Sequence, residues 1–324
     1  MRRSAGAVLA LGLLTGCSSG AEPAADAAAE ERPEIRIAVA PSVPLSVPLT
    51  GLAASPVATD TAGVRTETAR TPDDFRAMFT SGSVDLATMP TAVAANLAAR
   101  DVPIRVLGVV DSALLKVVGP AGVQGWDALR GQTVRIPFRG DAADLTFQIL
   151  AAENGLVPGR DVTIEYGSTL PDTVSEIIAG RVPLAVLPEH FATLTRTQAG
   201  LGEVLDLQTE WTRSTGSGSL PQSAVVVAGE FADRHPELVA RIAEQMRETT
   251  ERISAGATDA ERAEIAQATG APEPMVGAVL PTLRLGWLTR DQARDDITTM
   301  LNRFLELSPD SVGGRLPDEA FLRG

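Results

Sequence analysis

The sequence predicts an α/β chain of two lobes, each a mixed, mostly parallel sheet flanked by helices, the two joined by crossing strands. Three observations predict it. Short β-branched runs alternate with longer helical patterns. The order β-α-β-α-β occurs twice, over 35–110 and over 133–195. Once an N-terminal leader is set aside, about 290 residues remain, enough for two separate cores.

The leader is read from its order. Met1-Arg2-Arg3 is a short positive start, 5–14 is an apolar run, and Leu14-Thr15-Gly16 places small residues before Cys17. A membrane span needs about 20 apolar residues, so this run is a secretory signal. A cysteine at the cleavage point resembles the lipobox of bacterial lipoproteins; the bland alternative is a cysteine that merely follows an ordinary signal peptide. The resemblance implies removal of residues 1–16, diacylation of Cys17 and a membrane anchor through that lipid. Cys17 is the only cysteine, so the exported body has no disulfide option. Residues 17–33 are Ala, Glu, Ser, Gly and Pro without an apolar period and read as a disordered tether. The full chain carries −13 at neutral pH, and losing Arg2 and Arg3 makes the remainder more acidic. Such a surface argues against nucleic acid and against broad contact with anionic lipid.

The elements follow in order. Residues 35–40 form a strand ended by Pro41-Ser42-Val43-Pro44, and 45–54 a weak helix. Residues 64–69 are the second strand. Thr71 caps a helix with Pro72 in its first turn, and Phe75, Met78 and Phe79 share its inner face. Strand 84–88, a helix from Pro90 or Thr91 to Ala99, strand 104–110 and a fifth strand at 113–118 complete the first unit. In the second, strand 133–138, helix 141–154, strand 162–166, helix 170–179 and strand 184–187 lead to a helix from Pro188 or Glu189. Residues 216–219 are a polar stretch, 224–228 a strand crossing back, and His235-Pro236 opens a helix to about 253. Further helices fill the rest, and the tail 308–324 docks on the body. The first lobe is thus 34–115 with 225–324, and the second 116–224.

Six stretches, in order, carry a family resemblance: GSVDLATMP (82–90), LRGQTV (129–134), NGLVPGRDV (154–162), AVLPE (185–189), EFADRHP (230–236) and GGRLPD (313–318). Together they resemble the type II periplasmic solute-binding proteins of ABC importers, in the group of nitrate, sulfonate and taurine binders. The resemblance implies a monomer that holds one small organic or oxyanion solute between its lobes. It also implies an ABC permease, with its cytoplasmic ATPase, as the docking partner. Three places depart from the group's pattern: Ala40–Pro44, where a lysine and a glycine are usual; Arg139-Gly140-Asp141, where Gly and Ser or Thr are usual; and His190, where proline is common. All three fall where the solute is expected, so its identity does not transfer.

Parallel strands place ligands at their C-terminal ends. The expected contacts are Ser42, Val43, Met89, Thr91, Arg139, Gly140, Asp141, Glu189 and His190. A helix N-terminus suits an anion and Arg139 adds a positive fork, but Asp141 and Asp144 occupy the same turn, as in a capping box. Asp141 either caps or faces the ligand. Glu189 beside His190 raises the imidazole pKa if the two interact; otherwise Glu189 favours the helix dipole and His190 is solvated. Thr91 caps its helix or binds. Phe138, Tyr166, Phe191 and Trp211 are mostly core aromatics.

Enzymatic readings find little. Gly16–Gly20 matches G-x-S-x-G only within the leader, outside any strand–turn–helix. Lys116, the only lysine, lies in no phosphate-binding loop. His190 and His235 are the only histidines, with no cysteine in the body, so no metal or cofactor is expected.

Overall fold

The computed structural model describes residues 32–59, 61–112, 115–167 and 169–323. Cys17, the leader and most of the tether fall outside them. Eleven strands are present among the described residues: β1 (Glu34–Val39), β2 (Gly63–Thr68), β3 (Leu86–Pro90), β4 (Ile104–Asp111), β5 (Leu115–Gly119), β6 (Thr133–Ile136), β7 (Thr163–Tyr166), β8 (Leu184–Pro188), β9 (Gly202–Asp206), β10 (Ser223–Ala228) and β11 (Gly286–Thr289). They form two sheets, in the orders β11-β4-β10-β3-β1-β2 and β7-β6-β8-β5-β9. β2, β1 and β3 are parallel, and so are β7, β6 and β8.

Each sheet holds an antiparallel strand inserted among strands of the opposite direction, and in the first sheet the edge strand β11 is antiparallel to β4 as well. β10 inserts antiparallel between β3 and β4, and β5 between β8 and β9. Both are the strands that cross from one lobe to the other. β4 ends at Asp111 and β5 starts at Leu115, paired with Pro188 at the C-terminal end of β8. Four residue steps reach at most about 14 Å. Ser223, the start of β10, pairs with Pro90 and Val110, at the C-terminal ends of β3 and β4. The C-terminal tips of the two sheets therefore lie next to each other.

Strand alternation splits the core. Ile37 and Leu86 face a cluster with Val225, Ile242, Met246 and Ile265 on one side of the first sheet. Their neighbours Ala38 and Ala87 join a cluster that continues through Val117, Ile136 and Phe147 of the second lobe to Phe304 and Phe321. Val118, Ala185 and Leu187 cover the remaining face with Val174 and Ile177.

Several elements differ from the sequence expectation. The helix expected at 45–54 is broken into Val43–Ser46, Val47–Leu49 and Leu52–Ala54. Pro44 and Pro48 interrupt the donor series, and Gly51 at φ +73° is left-handed. The strand expected from 113 starts at Leu115; residues 113–114 lie outside the described ones. β9, the helix Leu207–Thr215 and β11 were not expected. β11 needs Gly108: a Cβ there would stand 2.3 Å from the Trp287 ring, so only glycine lets β4 pair with β11 at this point. The tail packs through Val312 and Phe321, both fully buried.

Candidate functional site

The facing tips bring together the loops after β1, β3, β6 and β8. On the first lobe, Thr91 opens the helix Thr91–Ala99, but the N-cap is Pro90 and makes no side-chain cap bond. Thr91 therefore does not cap. Its backbone N–H donates to Gln222 O at 2.9 Å, and its hydroxyl is 0 % exposed with no hydrogen-bond partner among the described residues. Gln222 Nε2 reaches Thr146 Oγ1 of the second lobe at 3.5 Å. Thr91, Gln222 and Thr146 thus link the two lobes at the junction. Ser42 is half-buried, and its carbonyl accepts from Ser46 Oγ at 3.1 Å. Val43 and Met89 are buried in the hydrophobic clusters, so their side chains serve packing.

On the second lobe, Asp141 is the N-cap of the helix Ala142–Glu153, accepting from Asp144 N at 2.9 Å. The reciprocal bond of a capping box is displaced by one residue: Asp144 Oδ2 accepts from Gly140 N at 2.7 Å. Gly140 sits at φ +77°, which turns its N–H toward that carboxylate. Asp144 Oδ1 accepts from Gln148 Nε2 at 2.8 Å and from Tyr166 Oη at 3.1 Å. The guanidinium of Arg139 lies 4.1 Å from the centre of the Tyr166 ring, a cation–π contact. Burial pushes the Asp141 carboxyl up to about 6; the Asp144 N–H opposes this and the Asp144 charge adds to it. Burial, then the charge and hydrogen bond of Asp144, push Tyr166 up to about 12. Phe138 stands outside β6 and is 48 % exposed.

Glu189 and His190 separate in role. Glu189 is buried and accepts from Arg196 at 2.7 Å, with the Lys116 ammonium 3.7 Å away. Lys116 is itself 4 % exposed and stands 2.9 Å from Asp206 and 3.6 Å from Glu203. The only lysine is therefore the centre of a buried charge network, a role that spacing along the chain does not reveal. His190 packs against Phe191 with ring centres 4.2 Å apart and planes tilted by 45°, and its Nδ1 is buried without a partner among the described residues. Burial pushes its pKa down to about 4. Neither sequence alternative holds: Glu189 faces Lys116 and Arg196 instead of raising the imidazole pKa, and His190 is largely buried instead of solvated.

Of the nine residues expected from sequence, Arg139, Gly140 and Asp141 form one cluster, extended by Asp144, Tyr166 and Gln148. Thr91 is tied to the second lobe through Gln222, which sequence reasoning missed. None of the nine lines the two larger described cavities. One, of about 390 Å³, lies beside the ends of β1 and β2; the other, of about 510 Å³, lies beside the helix Pro236–Ala255. Among the described residues no group of three or more His, Cys, Asp or Glu could hold a metal ion.

The sequence model of a family described as "Menaquinone biosynthesis" matches residues 36–277. The chain belongs to this family. No curated protein matches this chain. Among solved structures, an ABC transporter from Parabacteroides distasonis shares 20 % identity, covering 90 % of this chain and 98 % of that one, with a TM-score of 0.73. The periplasmic aliphatic sulphonate binding protein SsuA from Escherichia coli shares 12 %, covering 90 % and 92 %, with a TM-score of 0.73. The periplasmic nitrate-binding protein NrtA from Synechocystis PCC 6803 shares 13 %, covering 87 % and 84 %, with a TM-score of 0.58. The fold of this family member is the two-lobed α/β fold of type II periplasmic binding proteins.

Proposed function

We propose that this protein captures a small organic or oxyanion solute between its lobes, outside the cytoplasmic membrane, and delivers it to an ABC permease driven by a cytoplasmic ATPase. A lipid on Cys17 anchors the protein, which acts as a monomer. No helix among the described residues is long and apolar enough to cross a membrane. The observation that carries the reading is the apposition of the two sets of strand tips, with the Arg139–Asp141 turn on one side and Thr91 on the other. Support comes also from the solved binding proteins that share the fold.

A thermal-shift screen of solutes tests it. A ligand at 100 times its dissociation constant adds about 2.7 kcal/mol of stability. Arg139→Ala and Asp141→Ala are each expected to weaken the hit at least tenfold. Unchanged affinity in both removes that turn from the site, and a screen without any hit removes the capture reading.

The second reading is an enzyme on the same fold. Its motive is the family description, together with Asp141 near 6 and a neutral, buried His190. Groups so perturbed are candidates for proton transfer. Mass spectrometry of the recovered hit separates the two readings: an unaltered solute supports capture, and a changed one supports catalysis. A sensory lipoprotein that reports its ligand to a receptor would bind equally well; loss of solute uptake on deletion of the protein speaks against it.

A further inference from the structure

Both crossings between the lobes meet at one cluster of side chains. Asp111 is the last residue of β4, immediately before the first crossing. Gln208, in the helix Leu207–Thr215, donates through Nε2 to Asp111 Oδ1 at 3.3 Å and accepts through Oε1 from Leu220 N at 3.1 Å. Leu220 belongs to the second crossing. Two residues earlier, Gly218 N donates to Asp296 Oδ1 at 3.0 Å, and Ser219 Oγ donates to Asp296 Oδ2 at 2.9 Å. Asp296 stands on the helix Arg290–Leu307 of the first lobe. One amide and two carboxylates thus fasten both crossings to each other and to the first lobe.

Two of these groups carry like charge. Burial, then the charge of Asp296, push the Asp111 carboxyl up to about 6, while Arg284 and the Ser112 N–H oppose them. Arg284, on the segment before β11, is already engaged with Asp206, which also holds Lys116. β11 pairs with Asp111 through Gly286 and β10 pairs beside it through Ser223, so neither brings a charge at that position. Arg284 is the nearby cation, and it is shared.

We infer that Asp111, Gln208 and Asp296 form a lock on the hinge between the lobes, tightened by mild acid and loosened at neutral pH. With both carboxylates ionised, the charge of Asp296, which holds Gly218 and Ser219, opposes that of Asp111 beside the Gln208 bridge to Leu220. A proton on Asp111 removes the repulsion and leaves an oxygen to accept from Gln208. The interlobe angle then follows pH without any ligand. The lock depends on the two-lobed fold and not on solute capture, so the two stand or fall separately.

The test uses double electron–electron resonance in the full chain, with Cys17→Ser and spin labels at two exposed positions, Ala77→Cys in the first lobe and Gln132→Cys in the second. The interlobe distance distribution is expected to broaden and lengthen as pH rises from about 5 to about 7.5. Asp111→Asn keeps the oxygen that accepts from Gln208 and is expected to hold the acidic distribution at every pH. Asp296→Asn is expected to flatten the response as well, whereas Asp141→Asn leaves it intact. A distribution that ignores pH in the wild-type labelled chain overturns the lock. So does a full response in Asp111→Asn, or its loss in Asp141→Asn alone.

Discussion

Asp141 shows how one side chain serves two demands. It caps a helix, which asks for an acceptor, and it lies where burial disfavours its charge. Its folded pKa near 6 exceeds the unfolded value, so the folded chain binds the extra proton. The associated stability is fully present below about 4 and is lost as pH rises to about 6. Asp111 acts in the same sense over the same window. His190, pushed down to about 4, acts in the opposite sense: its contribution is present above the unfolded value and is lost as pH falls. Because these oppose one another, the total slope says little, and a difference measurement isolates Asp141. Asparagine caps as well as aspartate. Asp141→Asn is therefore expected to gain stability relative to wild type as pH rises from about 4 to about 6, with a constant gap above. Melting midpoints of both proteins across that range check it; a gap independent of pH would show that Asp141 titrates normally.

At the scale of elements, β5, the helix Glu189–Ala199 and β9 are pinned by the Lys116 network. Burial pushes Asp206 up, but the bond and charge of Lys116, with Arg284, outweigh it and hold the carboxyl below its ordinary range. Lys116→Met leaves the fully buried Glu189 with Arg196 as its remaining cation and the Thr193 hydroxyl as a neutral donor. Removing one partner of a buried ion pair costs about 3 kcal/mol or more, and urea unfolding should show that loss; a cost within the range of surface substitutions would mean the network is dispensable. The twin β-α-β-α-β pattern was legible because its central strands β3 and β8, buried on both faces, read as continuous apolar runs. Thr71 was legible as a cap, and it forms a full capping box with Asp74. β9 and β11 were not: both are short edge strands, and β11 owes its pairing to the absence of a side chain at Gly108. The site was less legible than the fold. Arg139, Gly140 and Asp141 are near neighbours in the chain and form a cluster in space. The burial of Glu189 and His190, and the reach of Gln222 to Thr146, depend on packing between elements far apart in sequence.

For the whole molecule, the largest hydrophobic cluster does not stop at the boundary between the sheets. It joins Ala87 and Val106 of the first to Val117, Ile136 and Phe147 of the second. Ion pairs add to it, among them Arg303 with Glu153 at 2.7 Å. The two lobes are expected to unfold as one cooperative unit. The three tryptophans report on this separately: Trp126 and Trp211 belong to the second lobe, and Trp287 lies on β11 of the first. In urea, fluorescence of Trp287→Phe and of the Trp126→Phe, Trp211→Phe double variant should give the same midpoint once each is corrected for its own stability by circular dichroism. Two midpoints would mean that the lobes come apart before they melt.

The inserted strand β10 also imposes an order in time. β5 through β9 occupy one uninterrupted stretch, Leu115 to Asp206, so the second sheet has all its strands as soon as that stretch has been made and delivered to where it folds. The first sheet does not: β3 and β4 have no partner on their facing edges until Ser223–Ala228 arrives. A newly made chain must carry those two open edges, each a template for wrong pairing, across more than a hundred residues of synthesis. Those edges need shielding from aggregation between the appearance of Asp111 and that of Ser223, and the outer edge of β4 stays open until β11 follows at Gly286.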